Sequence, residues 1–222
     1  MRKIVGGVFQ SLDGVMQAPG GPDEDPTREF PFGGWAAPFF DETMGQAMGG
    51  LFGSPFELLL GRKTYEIFAA HWPYVEGPEA EMGQMFTATN KYVVTAEPDK
   101  TDLGWENSHA LGDMDAVRTL KDTDGPDLLI QGSTTLYPQL LAEGLLDRLF
   151  VMTFPIILGQ GKRMIDVKTR DHKMTLANHQ VSQTGVIIAT YDVDGTVDTG
   201  SFAMETPTKA ELARRARMTL EG

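Results

Sequence analysis

The feature that most constrains this chain is an alternation of short apolar runs with stretches of helical periodicity. Runs typical of buried strands are predicted at residues 4–9, 56–60, 92–95, 108–111, 127–130, 149–158 and 186–191. Helices are predicted between them at residues 39–48, 64–70, 114–121 and 134–143. Because parallel strands need a long crossover connection, usually a helix, the pattern predicts an α/β fold with a mainly parallel sheet and helices on both faces.

The last part of the chain departs from this alternation. From about His172 to Phe202, strand patterns are joined by turns such as Asp194-Gly195, which predicts an antiparallel addition at one edge of the sheet. Beyond it, Thr208 and Glu211 have the spacing of a capping box and open a basic helix that either packs on a neighbour or is solvated. We therefore predict one domain over residues 1–203, with a long loop insertion at 13–55, and a helical tail over 204–222.

Charge and composition exclude several classes of function. The chain carries 31 acidic and 19 basic residues, a formal net charge of −12, which disfavours nucleic acid and anionic membrane partners. Without cysteine there is no disulfide and no thiolate nucleophile, and the four histidines form no metal-binding motif, so no metal site is predicted. No apolar run reaches the roughly 18 residues of a membrane span, and the amino terminus lacks a signal-peptide core. A cytoplasmic protein is predicted.

The segment from Leu12 to Pro55 is rich in glycine, proline and acidic residues, which break both helix and strand. A loop of this length inside a compact domain is usually functional or disordered. One interpretation is a solvated insertion. The other is a cover over a ligand, because the segment also carries a group of aromatic side chains, namely Phe30, Phe32, Trp35, Phe39 and Phe40.

A glycine separates a buried strand from a helix at two places. At the first junction, Gly61 ends the strand, and Arg62, Lys63 and Thr64 open the helix. Free backbone N–H groups at a helix start, together with two cations and a hydroxyl, are suited to bind a phosphate. The alternative is an ordinary helix N-terminus with solvent-exposed basic groups.

At the second junction, Gln131 and Gly132 end a strand, and Ser133 and Thr134 lead into a helix. Gly132 would let a phosphate approach the backbone closely, and the hydroxyls can donate to its oxygens. The alternative is an ordinary turn with a Ser or Thr cap. Because ligands collect at the carboxyl ends of strands in such sheets, the two junctions together predict a site for the two phosphates of one dinucleotide.

Taken in order, the motifs at 11–14 (SLDG), 61–66 (GRKTYE), 131–133 (QGS), 145–149 (LLDRL) and 155–161 (PIILGQG) resemble the dihydrofolate-reductase-like superfamily. Within it, they are similar to the branch that contains the carboxy-terminal reductase domain of the bifunctional riboflavin-biosynthesis deaminase-reductase. The resemblance covers about residues 2–191. It implies a three-layer α/β sandwich around a mixed sheet, NADPH held across the strand ends, and hydride transfer to a C=N or C=O bond of a pterin- or pyrimidine-like heterocycle.

The resemblance also assigns residues to the two ligands. On the cofactor side it implies contacts from both junctions and from the end of the third strand, namely Gly61, Arg62, Lys63, Thr64, Thr95, Gln131, Gly132, Ser133 and Thr134. On the substrate side it implies Ser11, Trp35 and Phe39. Thr95 and Ala96 stand where many dihydrofolate reductases have a Ser-Arg pair for the 2′-phosphate, so the preference for NADPH over NADH stays open. Val15 replaces the lysine of the riboflavin-type reductase, which weakens the case for that enzyme's phosphorylated sugar substrate.

Two aspartates are candidate catalytic residues by the same resemblance. Asp41 matches the acidic residue that helps to protonate a pterin, and desolvation in an aromatic-lined pocket would raise its pKa. Its alternative is an N-cap for the helix that follows, where the helix dipole lowers the pKa. Asp13 belongs to the Ser-Leu-Asp-Gly motif, but Asp-Gly is also a common turn dipeptide.

The leading hypothesis from the sequence is an NADPH-dependent reductase that acts on a small heterocycle. The rival hypothesis is a non-catalytic ligand-binding or interaction protein that keeps the fold. The family further implies a homodimer, with the apolar strand at residues 149–158 as a candidate contact.

Overall fold

A mixed sheet of eight strands forms the centre of the computed structural model, which describes residues 1–165 and 169–221. Its strands are β1 (Ile4–Ser11), β2 (Phe56–Gly61), β3 (Lys91–Val94), β4 (Ser108–Leu111), β5 (Asp127–Gln131), β6 (Arg148–Phe154), β7 (Met174–Val181) and β8 (Ile187–Val193). Across the sheet they follow the order β4-β3-β2-β5-β1-β6-β8-β7. Pairing is parallel from β4 to β6 and antiparallel from β6 through β8 to β7. The predicted α/β class, mainly parallel with an antiparallel edge, is confirmed.

The α-helices of the described residues are α1 (Glu42–Phe52), α2 (Arg62–His71), α3 (Ala80–Ala88), α4 (Met114–Lys121), α5 (Leu136–Ala142) and α6 (Lys209–Glu221). Two predicted boundaries shift for local reasons. The first helix begins at Glu42 because Asp41 caps it, and residues 37–39 form a 3-10 turn instead. The helix predicted at 134–143 begins at Leu136, because Gly132 and Ser133 have left-handed φ angles of +70° and +64°.

The sequence prediction lacks α3 and gives β6 four residues too many. Gly83, a weak helix former, interrupts the α3 segment. The packing explains this glycine, since a Cβ there would lie 2.5 Å from the Trp72 carbonyl oxygen and from Val75. β6 ends at Phe154, directly before Pro155, which has no N–H to donate to a strand ladder.

The long segment after β1 forms part of the core. Trp35 is 7% exposed, and its ring centroid lies 5.0 Å from that of Phe154 in β6. Val15, Phe30 and Met44 are buried in the same cluster, over one face of β6 and β8. The interpretation of this segment as a solvated insertion is therefore wrong for these residues, which wall one side of the domain.

β6 lies inside the sheet. It pairs with β1 along one edge and with β8 along the other, and Leu149, Val151 and Met152 are buried within the chain. Leu149, Val151 and Met152 are therefore unavailable to a partner, whereas Phe150 and Thr153 are partly exposed. The subunit contact at this strand stays a prediction.

The carboxy-terminal helix has no buried residue. The Thr208 hydroxyl accepts the backbone N–H of Glu211 at 3.2 Å, which is the hydrogen bond that the capping-box spacing predicts. Across residues 1–165 and 169–221, none of the helices combines the length and the apolar character needed to cross a bilayer.

Candidate functional site

An open cleft of about 2650 Å³ crosses the carboxyl ends of the central strands. Gly7 and Phe9 of β1 and Gln131 of β5 belong to its lining, which continues along α2 on one side and residues 16–28 on the other. The carboxyl ends of strands are where sheets of this kind bind ligands. A cleft well above the roughly 300–1,000 Å³ of a small-molecule pocket suits a ligand of dinucleotide size.

The first junction leaves the start of α2 open. Gly61 is the N-cap residue and offers no side chain to the first N–H groups of the helix, which have no partner inside the helix. Arg62 pairs with Glu66 one turn later, while 45% of its side chain stays exposed. Lys63 is exposed at the same rim. The geometry at this junction is what a phosphate site needs.

One side chain locks the second junction to the first. Ser133 Oγ accepts the Gly61 N–H at 2.8 Å and donates to Thr64 Oγ1 at 2.9 Å. The Ser133 proton is therefore used within the protein, whereas the Thr64 hydroxyl keeps its own proton for a ligand. Of the three hydroxyls predicted to bind phosphate, those of Thr64, Ser133 and Thr134, the Ser133 hydroxyl donates within the protein and the Thr64 hydroxyl is placed to donate to a ligand.

Gly132 brings the turn after β5 close to α2. Its φ of +70° is left-handed, and a Cβ there would lie 3.3 Å from Thr64 Cγ2. Glycine adopts this conformation at little cost and leaves the backbone open to a ligand. Thr134 continues the same lining towards α5.

Gln131 crosses the floor of the cleft. Its opposite neighbour in the parallel register is Gly7, and a Cβ at Gly7 would collide with Gln131 Nε2. Among residues 1–165 and 169–221, Nε2 is buried without a hydrogen-bond partner. Leaving a buried amide unpaired costs about 1–3 kcal/mol, so this atom needs an explanation.

Thr95 lines the cleft beyond Arg62, where the resemblance places the adenosine end of the cofactor. It is 7% exposed, and its Oγ1 lies 2.9 Å from Thr101 Oγ1 and accepts the Glu97 N–H at 3.3 Å. The hydroxyl is thus engaged within its own loop.

Asp41 is the N-cap of α1. Its Oδ1 accepts the Met44 N–H at 2.9 Å, and its Oδ2 accepts the Thr184 N–H at 3.2 Å. The Met44 amide lowers the pKa of Asp41 more than desolvation raises it, and the Thr184 amide lowers it further. The hypothesis of a pKa raised by desolvation is therefore wrong. Asp41 also lies outside the cleft lining, although the neighbouring Phe40 belongs to it.

Asp13 ties two loops together. Its carboxylate accepts the Ser11 hydroxyl at 2.6 Å and the backbone N–H groups of Leu158 and Gly159 at 3.1 and 2.9 Å, and it pairs with Arg163 at 3.0 Å. Burial acts to raise the pKa of Asp13, but the Ser11 hydroxyl and the two amides together hold it well below its usual range. Asp13 is therefore ionised at neutral pH and already supplied with donors.

The residues predicted on the substrate side pack behind the cleft wall. Ser11 is fully buried and accepts the Val15 N–H at 2.9 Å. The Trp35 indole N–H donates to the Gln17 carbonyl at 2.7 Å, and the Phe39 ring packs edge-on to Phe154. The side chains that this segment does place in the cleft lining include Ala36 and Phe40.

Sequence reasoning missed the hydrogen bonds and the ion pair that hold residues 17–27 and Lys162 together beside the cleft. Gln17 Nε2 donates to the carbonyls of Asp25 and Thr27 at 2.9 and 2.8 Å, and its Oε1 accepts the Lys162 N–H at 3.1 Å. Lys162 also forms an ion pair with Asp25 at 2.5 Å. These partners are far apart in sequence, so no local pattern marks them.

Glu24 is a second group that the sequence did not single out. Its Oε2 accepts the N–H groups of Gly20 and Gly21 at 2.7 and 3.2 Å. Burial raises the pKa of Glu24 and the charge of Asp25 adds to the rise, which the two amides offset only in part. Because Glu24 also belongs to the cleft lining, it is a carboxyl group that holds a proton more readily there than Asp13 or Asp41 would.

Comparisons with known proteins agree with this architecture. The chain is 27% identical over 143 residues, 62% of its own length and 74% of the relative's, to the uncharacterized protein YyaP of Bacillus subtilis. Among solved structures it resembles a putative riboflavin biosynthesis protein from Shewanella sp. PV-4, with a TM-score of 0.57 at 18% identity, covering 86% of this chain and 99% of that one.

Two further solved structures share the fold. A pyrimidine reductase-like protein from Corynebacterium diphtheriae gives a TM-score of 0.53 at 15% identity, covering 87% of this chain and 92% of that one. Dihydrofolate reductase from Enterococcus faecalis, solved with NADP(H) and RAB-propyl, gives a TM-score of 0.52 at 13% identity, covering 86% of this chain and 96% of that one. The predicted dihydrofolate-reductase-like fold is thus confirmed.

The model of the RibD C-terminal domain matches residues 2–188, which include every strand from β1 to β7 and both glycine junctions. This span exceeds half of the chain, so the protein belongs to the RibD C-terminal domain family.

Proposed function

We propose that this protein is a reductase that uses NADPH to deliver a hydride to a small pterin- or pyrimidine-like heterocycle. The family and the fold are of a reductase type. The observation that carries the proposal is the interlocked pair of junctions, where Ser133 joins Gly61 to Thr64 beside the bare backbone of Gly132. Together they offer backbone N–H groups, a free hydroxyl and two cations along one cleft.

The residues present fit a nicotinamide dinucleotide. Gly132 leaves a place next to Thr64 that a side chain would fill, and the start of α2 has no side-chain cap. Arg62 and Lys63 lie at the rim of the same lining, where a 2′-phosphate would favour NADPH over NADH. When bound, such a cofactor supplies the hydride. The protein residues hold the two phosphates between the junctions and shield the reacting ring from water with Phe9, Met48 and Phe52.

The proton that accompanies the hydride has to come from a group other than the two predicted acids. Asp13 and Asp41 both have lowered pKa values and are engaged in hydrogen bonds at the ends of loops and helices. We assign them positioning roles, Asp41 at the start of α1 and Asp13 between two loops. Glu24, with its raised pKa, is the proposed carboxyl group to hold a proton in the cleft.

A non-catalytic ligand-binding protein is the second candidate, and one observation favours it. Both aspartates predicted to be catalytic have structural partners instead. Oxidation of NADPH in the presence of a heterocyclic substrate separates the two candidates, because only the reductase consumes the cofactor. We further propose a homodimer.

The test of the proposal is to measure the binding of NADPH to the full chain, by calorimetric titration and by the shift of the thermal unfolding temperature. At a concentration of 100 times Kd, binding stabilises the protein by about 2.7 kcal/mol, which raises the melting temperature by about 5–10 °C. Gly132→Asp should abolish the shift, because it fills the phosphate cradle with a negative side chain. Gly195→Asp is the matched control, since Gly195 also has a left-handed φ, +80°, but no atom of the described part of the chain lies within 4 Å of its Cβ position.

Arg62→Ala should lower the affinity for NADPH more than the affinity for NADH, because the guanidinium is proposed to contact the 2′-phosphate. If the parent protein shows neither heat nor a thermal shift with NADPH or NADH, the proposed function is wrong.

A further inference from the structure

A second pocket lies under α1, and among the described residues it shares no lining residue with the cleft. Its volume is about 430 Å³, within the roughly 300–1,000 Å³ of small-molecule sites. Ala47, Gly50 and Leu51, in the second half of α1, form one side of it, and Val5 of β1 and Phe150 of β6 belong to the other. The pocket is therefore a concave space between a helix and the sheet.

The pocket exists because α1 is too small to cover the face of the sheet below it. The strands β5, β1, β6, β8 and β7 lie side by side, and at about 4.8 Å per strand they span about 19 Å. A helix of 11 residues covers about 16 Å by 10 Å. Val5 and Phe150 are only half-buried, although β1 and β6 are paired along both edges. Apolar surface in the middle of the sheet is thus left for a ligand to cover.

The strand register places polar side chains beside this apolar surface. Asn178, Thr190 and Phe150 are directly opposite one another across β7, β8 and β6, so their side chains share one face of the sheet. Gln180 lies on the same face, two residues after Asn178. Asn178 Oδ1 accepts the next backbone N–H at 2.8 Å. Within residues 1–165 and 169–221, Asn178 Nδ2, the Gln180 amide and the Thr190 hydroxyl have no hydrogen-bond partner and are open to a ligand.

The charged groups of the lining already have partners. Arg148 donates from Nε and Nη2 to the Asp192 carboxylate at 2.7 and 3.1 Å, and Asp127 Oδ1 accepts the Lys3 N–H at 2.8 Å. His179 alternates with its neighbours and lies on the opposite face of β7. A charged ligand would lose hydration in this pocket without gaining an unpaired counter-ion. The lining therefore favours an uncharged ligand.

Two glycines in α1 give a second, independent indication. Gly49 and Gly50 lie inside the helix, where each costs about 1 kcal/mol relative to alanine. No atom of the described part of the chain lies within 4 Å of the Cβ position at either residue, so close packing does not require them. Gly50 belongs to the lining of the pocket, whereas Gly49 lines neither the pocket nor the cleft. The absence of a side chain at Gly50 keeps the pocket open.

We propose that the pocket under α1 is a second ligand site, which takes an uncharged aromatic ring system with one polar edge. The apolar body of the ligand lies over Val5, Leu129 and Phe150. Its polar edge meets the Thr190 hydroxyl and the Asn178 amide, which can both donate and accept hydrogen bonds. The inference is independent of the proposed function, because neither the cofactor nor the hydride acceptor uses this pocket.

The test uses three probes with one ring system and different charges, namely indole, indole-3-acetate and tryptamine. Each is titrated at pH 7 into the full chain and followed by NMR of the methyl groups. The methyl groups of Leu129 and Ile188 report on the pocket, and that of Met48 reports on the cleft. The probe that binds thus shows the charge class of the ligand, and the methyl groups show where it binds.

Three variants test the lining. Gly50→Leu narrows the pocket, and Gly49→Leu is the matched control, because it makes the same exchange at the neighbouring position of the same helix. Both exchanges raise helix propensity, so the fold is expected to stay intact. Thr190→Val removes the hydroxyl and keeps the shape of the side chain. Thermal unfolding of each variant checks its fold.

We expect indole to shift the Leu129 and Ile188 methyl signals in a saturable manner, with a millimolar Kd, and to leave Met48 unchanged. Both charged probes should bind at least fivefold more weakly than indole. Gly50→Leu should lower the affinity for indole at least fivefold, and Gly49→Leu should stay within twofold of the parent. Thr190→Val should lower the affinity about threefold or more, as expected for the loss of one neutral hydrogen bond.

The inference is overturned if indole gives no saturable shift at millimolar concentration, or if it shifts Met48 in place of the pocket methyl groups. It is also overturned if Gly50→Leu or Thr190→Val binds indole as the parent does, if Gly49→Leu loses as much affinity as Gly50→Leu, or if a charged probe binds as tightly as indole. Titration of the same protein with NADPH separates these outcomes from failure of the proposed function. A protein that binds indole in the pocket but no NADPH removes the reductase and keeps the second site, whereas NADPH binding without indole binding removes only the second site.

Discussion

The buried ammonium of Lys91 gives the sharpest prediction about stability. Lys91 is fully buried at the start of β3, and its Nζ donates to the carbonyls of Phe86, Thr87 and Thr89 at 2.8, 2.9 and 2.7 Å. It also lies 4.3 Å from the centroid of the Trp105 ring. Burial lowers the pKa of Lys91 to about 8, with Glu106 acting in the opposite direction, so the group is charged at pH 7.

Lys91→Met keeps the length of the stem and removes the charge. The carbonyl of Thr87 retains a donor, Asn107 Nδ2 at 3.1 Å, so the carbonyls of Phe86 and Thr89 are the two that lose theirs. Each unsatisfied buried acceptor costs about 1–3 kcal/mol, and the cation–π contact adds about 1–2 kcal/mol. Relief from burying a charge offsets part of this sum. We expect the free energy of unfolding to fall by about 2–4 kcal/mol.

The assay is urea unfolding at pH 7, followed by tryptophan fluorescence, for which Trp105 is a local reporter. With an m-value of about 2 kcal/mol/M, the midpoint should move down by about 1–2 M. Lys100→Met is the control, because 76% of the Lys100 side chain is exposed, and it should stay within about 0.5 kcal/mol of the parent. A Lys91→Met protein within about 1 kcal/mol of the parent would refute the reasoning.

Three further predictions concern carboxyl groups. The folded pKa of Asp13 lies below its ordinary value of 3.8, so its stabilisation is fully present above that value and is lost progressively as pH falls from it towards the lower folded pKa. In urea unfolding, the stability gap between parent and Asp13→Asn should therefore narrow as pH falls below about 5, and a constant gap contradicts the assignment. Asp41→Ala should lower the melting temperature because it removes the helix cap, whereas Asp41→Asn should keep a melting temperature close to that of the parent. NADPH affinity should be the same in both variants, and a loss of NADPH affinity would place Asp41 in the cleft. Carbon-detected NMR titration should find the Glu24 carboxyl titrating above its ordinary 4.5, and a value at or below it would remove Glu24 as the proposed proton holder.

Much of the site's location was available from the sequence. Gly61 and Gly132 each follow a buried apolar run and precede a helix, and both signals are local. Parallel pairing of β5 with β2 then brings the two turns to one edge of the sheet. The hydrogen bonds of Ser133 to Gly61 and Thr64, across 72 and 69 residues, could not be predicted from the sequence, because no local pattern specifies which hydroxyl bonds within the protein.

The acids show the limit of local reasoning most clearly. Asp41 before a helix start fits both a cap and a catalytic acid. The Met44 amide makes it the cap and lowers its pKa most, and Thr184, which the turn between β7 and β8 brings to the second oxygen, lowers the pKa further. Asp13 fits both a turn and a substrate contact. The Ser11 hydroxyl, two residues away, lowers its pKa most, and the amides of Leu158 and Gly159, 145 and 146 residues away, lower it further. A pKa is set by whatever charges and donors surround the group in space, which the spacing of residues along the chain does not record.

The order of strands and helices, and the glycines between them, follow from the linear pattern alone, since backbone periodicity and conformational freedom are properties of neighbouring residues. The tertiary structure decided which polar groups meet. It brought the Leu158 and Gly159 amides to Asp13 and the Thr184 amide to Asp41, joined Ser133 to Gly61, and, among the described residues, left the amide nitrogen of Gln131 over Gly7 without a partner. Those pairings depend on crossovers that bring distant segments together, and hydrogen bonding at short range then fixes the charge and availability of each group.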